Sequence, residues 1–331
     1  MTTAVRDARL RGAKAAHAML RASGAREKIV QNDGQIDVFG ALAARDIIVM
    51  FRPLKGLLGA YLRGAPAGVL INTQRPLTVQ RFTAAHELGH AVMNHKPSID
   101  TPDVLRRAAL GRMGSSDKFD AFLQEVEADA FAGDYLLPRW LLAHHAERQS
   151  WSGSDFSNPN VAYQLAIRCG VSLDATTRAL ERNQLVSRQS ASQIRKIKPK
   201  DIKASIRSIE HSIDPWADAW LLTEKDEGTT VPLQVGDVIT VRLAEYAAAG
   251  YLWESLEIED LTKIADGRDP SEIVGGVTSR FLGFRADASG TSEIKITERR
   301  PWEAKGRDVK FRLAISPKQE GLLRSHRGNQ A

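Results

Sequence analysis

The stretch FTAAHELGHAVMNH, Phe82 to His95, decides how this chain is read. His86 and His90 are four apart, so on a helix both rings leave the same face, and Glu87 directly follows the first. Such a pattern either holds a metal ion above a catalytic base or is an ordinary helix with two polar side chains. The surroundings favour the first reading. Ala84, Ala85, Leu88 and Val92 supply packing for a buried helix, and Gly89 lets another segment approach closely.

Composition sets the frame. At 331 residues and 43% hydrophobic, the chain is long enough for two compact domains, each with its own core. The longest apolar runs, DIIVMF at Asp46 to Phe51 and AGVLI at Ala67 to Ile71, fall far short of the roughly 20 residues that span a bilayer. The N-terminus alternates basic and small residues without an apolar run, which reads as a plain surface helix and not as a secretory signal. The single cysteine, Cys169, allows no intrachain disulfide and reads as a buried structural thiol in a reducing compartment, so we expect a cytoplasmic protein. A net charge of +6 permits nucleic-acid contact without implying it.

Four regions follow along the chain. Residues 1–187 read as a mixed α+β domain: QIDVFGALAARD is helical in period, and IIVMF, LLGAYL and GVLIN are short strands. Thr78 or Thr83 would start the helix carrying the opening motif, and Pro97 with Pro102 would end it. A second helix runs from Phe119 and stops before Pro138, with more at Trp140 to Glu147 and Pro159 to Arg182. Residues 188–213 are polar and basic and read as a linker with some helix. Residues 214–317 switch to period two, in VPLQVGDVITVRL, GYLWESLEI, SRFLGFRA, TSEIKITERRPW and RDVKFRLAIS, which predicts an all-β sandwich. Residues 318–331 read as a mobile tail, and no internal repeat is evident.

A catalytic zinc takes three protein ligands and keeps one position open, so the two histidines need a third donor. QEVEADAFAGDYLLP offers it. Glu125 and Asp129 are four apart on one helical face, while Glu127 projects to the other side, about 160° from Asp129. We take Glu125 as the third ligand and Asp129 as the carboxylate that orients a histidine ring, a common supporting arrangement. The apolar face alone does not settle Glu125 against Glu127, because both lie at its margins. His95 reads as a surface residue or one standing behind a ligand. Tyr135, His144 and His145 are the residues considered for stabilising an oxyanion.

RFTAAHELGHAVMNH followed by EVEADAFAGDYLLP, with the strand GVLIN before them, resembles the ImmA/IrrE family of zinc metallopeptidases over roughly residues 34–187. The resemblance implies a zincin-like, gluzincin-type site in which His86, His90 and Glu125 bind Zn2+ and Glu87 is the base. The family's characterised members are regulators that cleave helix-turn-helix repressors inside bacterial cells, so a repressor of that kind is the implied protein substrate.

The later strands carry a second resemblance. GYLWES and ERRPWE are similar to loop regions of the chagasin-like family, immunoglobulin-like inhibitors of papain-type cysteine peptidases, over roughly residues 214–317. Gly250 and Trp253 match its Gly-x-x-Trp loop, and Arg300, Pro301 and Trp302 match its Arg-Pro-Trp loop. Tyr246 and Ala247 to Ala249 depart from the Asn-Pro-Thr-Thr usual before the glycine, and Gly275 and Gly276 are all that stands for the glycine-rich middle loop. Trp253 and Trp302 are either anchors for a protein partner or core residues.

The leading expectation is a zinc endopeptidase with a C-terminal protein-recognition domain. Two others stand beside it. One is a regulatory binding protein whose chagasin-like domain inhibits a cysteine peptidase. The other is a DNA-binding regulator, resting on Val161 to Val186 read as a helix-turn-helix with its turn at Gly170, in which Thr176 and the acid in SLDATT fit poorly.

Overall fold

The computed structural model describes residues 2–32, 34–96, 116–206, 214, 217–255, 258–269 and 276–317. The stop assigned to Pro97 and Pro102, the glycine at Gly275 and the tail beyond Pro317 lie outside these residues. The described chain forms two units, one from residues up to 143 with 169–179, the other from residues 144–168 with 180–317.

In the first unit, α1 (Thr3–Ala22) buries Ala8, Gly12, Ala16, Met19 and Leu20, a stripe of small residues followed by larger apolar ones. The N-terminus is therefore not the plain surface helix expected. Its small residues let α1 run against α5 (Ser116–Leu136). At Gly12 the approach is so close that a Cβ would stand 2.1 Å from the Glu127 carbonyl oxygen. After α2 (Ala25–Asn32), Asp37 accepts a hydrogen bond from the Gly40 N–H and caps α3 (Val38–Ala43). The three short apolar runs then become β1 (Ile48–Arg52), β2 (Gly59–Leu62) and β3 (Gly68–Asn72), in the order β1-β3-β2. β3 lies between a parallel and an antiparallel neighbour, and its Val69 and Ile71 are fully buried.

Next comes α4 (Leu77–Val92), buried nearly all round over its last three turns. It starts just after Pro76, one residue before the Thr78 start considered from sequence. It ends because Asn94 adopts a left-handed conformation, φ 56°. The Asn94 N–H then reaches the Ala91 carbonyl and the His95 N–H reaches the His90 carbonyl, the paired bonds of a Schellman turn. Gly89 has the expected role: the Phe131 ring of α5 lies where its Cβ would be, 3.1 Å away.

The segment read as one helix from Pro159 to Arg182 is two, α7 (Pro159–Cys169) and α8 (Leu173–Arg182), interrupted at Gly170 with φ +66°. α6 (Arg139–Gln149) precedes them, and α9 (Arg188–Lys196) and α10 (Pro199–Ile206) follow in the basic polar stretch. Cys169 is buried, as expected.

The second unit is rich in strand. Period-two alternation produces β5 (Thr230–Gln234), β6 (Val238–Glu245), β7 (Leu252–Ser255), β9 (Thr278–Ala286), β10 (Gly290–Arg299) and β11 (Arg307–Ser316). Two strands went unread: β4 (Ala219–Leu222), too short to show alternation, and β8 (Leu261–Asp269), whose polar residues and Gly267 hide it. The strands form two four-stranded sheets, β4-β6-β9-β8 and β5-β11-β10-β7. β11 buries Val309, Phe311, Leu313 and Ile315 and exposes Lys310 and Arg312 between them, with Ala314 half-buried.

An unpaired edge strand needs partners for its backbone groups, and β4 finds them in α7. The Gln164 side chain donates to the Ala219 carbonyl (2.8 Å) and accepts from the Leu221 N–H (2.9 Å), as a neighbouring strand would. Arg168 donates to the Leu221 carbonyl (3.0 Å) and pairs with buried Asp226 (2.9 Å). Tyr163 donates to Asp218, and Lys203 of α10 pairs with the same carboxylate at 3.1 Å. Among the described residues, no helix is long and apolar enough to cross a membrane.

Candidate metal centre

Two helices build the site, α4 from below and α5 across it. The i, i+4 spacing brings His86 and His90 side by side, ring centroids 4.8 Å apart, and both are almost wholly buried. Their Nε2 atoms face each other at 3.0 Å. Glu125 of α5 completes the group: one carboxylate oxygen is 3.2 Å from His86 Nε2 and the other 3.6 Å from His90 Nε2. These three are the group among the described residues whose ligand atoms converge tightly enough to hold a metal ion.

The spacing itself tests the fit. Ligands about 2.0–2.1 Å from a tetrahedral zinc lie about 3.3 to 3.4 Å from one another. The separations of 3.0, 3.2 and 3.6 Å bracket that value. Electrostatics agree. Burial alone would push the Glu125 carboxyl up, but the neighbouring His86 and His90 rings outweigh it and hold the group well below the usual carboxylate range. A charged acid among buried imidazoles suits a cation.

What stands behind the rings fixes how they face. Asp129, one turn after Glu125, sits 3.0 Å from His86 Nδ1. The other side was only half legible. His95 is buried, its Nδ1 2.9 Å from His90 Nδ1 and its Nε2 2.9 Å from Glu127. It is thus not a surface residue, because the turn at Asn94 folds it back over His90. Glu127, weighed as a ligand, instead pairs with His95 and with Arg11 of α1. The spacing of Glu125 and Glu127 on α5 was the available signal, but Arg11 is over a hundred residues away and no local pattern marks it.

Glu87 is 1% exposed, and Gly59 of β2 lies over it and Thr83, where a Cβ would stand 3.2 Å from the Glu87 carboxylate. Tyr135 lies elsewhere: burial, and then Asp37, push its hydroxyl up to about 12, and it stacks on Phe131. His145 is buried in the second unit, where burial and then Arg168 push it down to about 3.

In the β-rich unit the two tryptophans part company. Trp253 is 2% exposed and donates to the Ala244 carbonyl (2.7 Å), so it is a core residue and not an anchor. Trp302 is 73% exposed on the loop between β10 and β11. It lies against Gly250, whose left-handed φ of +84° ends the short turn Ala247–Ala249, and Arg300 sits over both Tyr251 and Trp302.

Two family models match this chain. Residues 43–181 match the peptidase M78 model, the IrrE N-terminal-like domain, and residues 232–315 match the Chagasin family peptidase inhibitor I42. The chain is therefore similar to IrrE N-terminal-like domains over its first matched stretch and to chagasin-family inhibitors over its second. Amoebiasin-2 of Entamoeba histolytica is 29% identical over 106 residues, which cover 30% of this chain and 85% of that protein. The crystal structure of EhICP2, a cysteine protease inhibitor from Entamoeba histolytica, matches at 24% identity and a TM-score of 0.28, covering 30% of this chain and 97% of the inhibitor. PbICP-C, solved in complex with falcipain-2, matches at 17% identity and a TM-score of 0.21, over 33% of this chain and 95% of that one.

Proposed function

We propose that this protein is a zinc-dependent endopeptidase acting in the cytoplasm on a regulatory protein such as a helix-turn-helix repressor, with the chagasin-like unit as its protein-recognition domain. The first unit is then a zincin-like peptidase and the second an immunoglobulin-like sandwich. The observation that carries the reading is the convergence of His86 Nε2, His90 Nε2 and the Glu125 carboxylate on one point, with Glu87 on the same helix. A purely structural site has no use for a carboxylate next to an open metal position.

His86, His90 and Glu125 would hold the ion, and Asp129 would keep His86 turned towards it. Zinc, when bound, supplies a Lewis acid that makes water a nucleophile near neutral pH and polarises a peptide carbonyl. Glu87 takes a proton from the attacking water and returns it to the leaving amine as the peptide bond breaks. Its burial excludes competing bulk water. Trp302, an exposed aromatic braced by Arg300, is the surface group best suited to anchor a protein partner.

The test pairs metal content with proteolysis for wild type and Glu87→Gln, using helix-turn-helix repressors from the same organism. One zinc per chain in both, with cleavage by wild type alone, supports the reading. Cleavage by metal-replete Glu87→Gln would overturn the assignment of the base, and zinc in both with cleavage by neither would count against a peptidase.

A further inference from the structure

We propose that Arg11, Glu127 and His95 form a positioning chain that decides which nitrogen of His90 carries its proton, and so tie metal affinity to helix α1. The proposal rests on the metal reading of His86, His90 and Glu125.

Two ring nitrogens 2.9 Å apart, as His95 Nδ1 and His90 Nδ1 are, share one hydrogen between them. Which ring donates is set at the far end. Glu127 Oε2 lies 2.9 Å from His95 Nε2, and a carboxylate only accepts, so the His95 hydrogen sits on Nε2. His95 Nδ1 is then bare and accepts from His90 Nδ1–H. His90 is left with its lone pair on Nε2, the atom that faces Glu125 and His86. The opposite arrangement would set a bare His95 nitrogen against a carboxylate and place a proton where the ion belongs.

The chain is held at each link. Arg11 Nε donates to the other Glu127 oxygen at 2.8 Å. The neighbouring Gly12 packs against the backbone of Glu127 itself. The left-handed turn at Asn94 aims His95 at His90, and the Lys96 N–H donates to Gln124 of α5 at 2.7 Å, fixing the segment from its far side. His86 has a carboxylate directly behind it, in Asp129. His90 has one too, relayed through a second imidazole and anchored by a residue from the other end of the unit.

The experiment measures zinc affinity by chelator competition in wild type, Glu127→Gln, His95→Ala, His95→Asn and Arg11→Ala, with circular dichroism confirming that each folds. Removing the group behind a ligating histidine typically costs 10- to 100-fold in metal affinity. Glu127→Gln and His95→Ala should fall in that range. His95→Asn, which keeps an acceptor where Nδ1 stood, should recover part of the loss, and Arg11→Ala should lose less than Glu127→Gln. Two-bond 1H–15N spectra of the zinc form should place the His90 hydrogen on Nδ1. Wild-type affinity in both Glu127→Gln and His95→Ala, or a His90 hydrogen on Nε2, would overturn the proposal. If His95→Ala does not fold, Glu127→Gln and the spectra decide alone. Wild type that binds no zinc would remove the metal reading itself, and this proposal with it.

Discussion

His86 Nε2 and His90 Nε2 lie 3.0 Å apart and both face the Glu125 carboxylate. The acids behind the two rings draw their hydrogens outward, to Asp129 and towards Glu127, so two lone pairs and a negative charge meet at one buried point. That arrangement repels itself unless a cation joins it.

The folded chain should therefore be stabilised by the ion. In zinc at about a hundred times its dissociation constant the gain is about 2.7 kcal/mol, a rise in Tm of roughly 5 to 10 °C for a unit of this size. Glu125→Ala and His86→Ala should abolish the zinc-dependent shift seen by differential scanning calorimetry. An unchanged shift in either would mean the ion binds elsewhere.

Asn94 turns the chain at the end of α4 with φ 56°. Asn94→Gly should leave stability unchanged or slightly raised, whereas Asn94→Val should cost about 1–2 kcal/mol, the penalty of a left-handed residue bearing a branched side chain. Because this turn aims His95, Asn94→Val should also weaken zinc binding. Urea unfolding and chelator competition read the two effects separately.

The tryptophans should separate stability from recognition. Trp253→Ala removes a fully buried ring and should destabilise the β-rich unit by about 3–5 kcal/mol. Trp302→Ala should change stability by under about 0.5 kcal/mol while reducing capture and cleavage of the natural substrate. Full cleavage by Trp302→Ala would count against its anchoring role.

Asp237 gives the β-rich unit a pH dependence. Burial, and then neighbouring Asp218, raise its carboxyl to about 7 in the folded state. In the unfolded chain it ionises near its ordinary value of about 4. Between these, the unfolded state has lost a proton that the folded state retains, so stability should fall as pH rises from about 4 to about 7 and then level off. Asp237→Asn should flatten that slope, even though losing an acceptor for the Asp218 or Gln234 N–H lowers stability at every pH.

The spacing of the residues that converge at the candidate site was local within each helix, and so it was legible in the sequence. Two histidines one helical turn apart, a glutamate beside them, a glycine for close packing and a Glu-x-x-x-Asp pair on a later helix each follow from 3.6 residues per turn. Alternation likewise exposed most strands, missing β4 and β8, where brevity or polar residues hide the period. What sequence periodicity did not decide is which residues from distant segments meet. Arg11 reaches Glu127 because Gly12 lets α1 press against α5, and Gln164 stands in for a strand at β4 because α7 happens to pass that edge. Trp253 and Trp302 have the same side chain, and only the packing around them puts one in the core and the other in solvent. Such contacts depend on three-dimensional proximity between segments far apart along the chain, which no local spacing encodes.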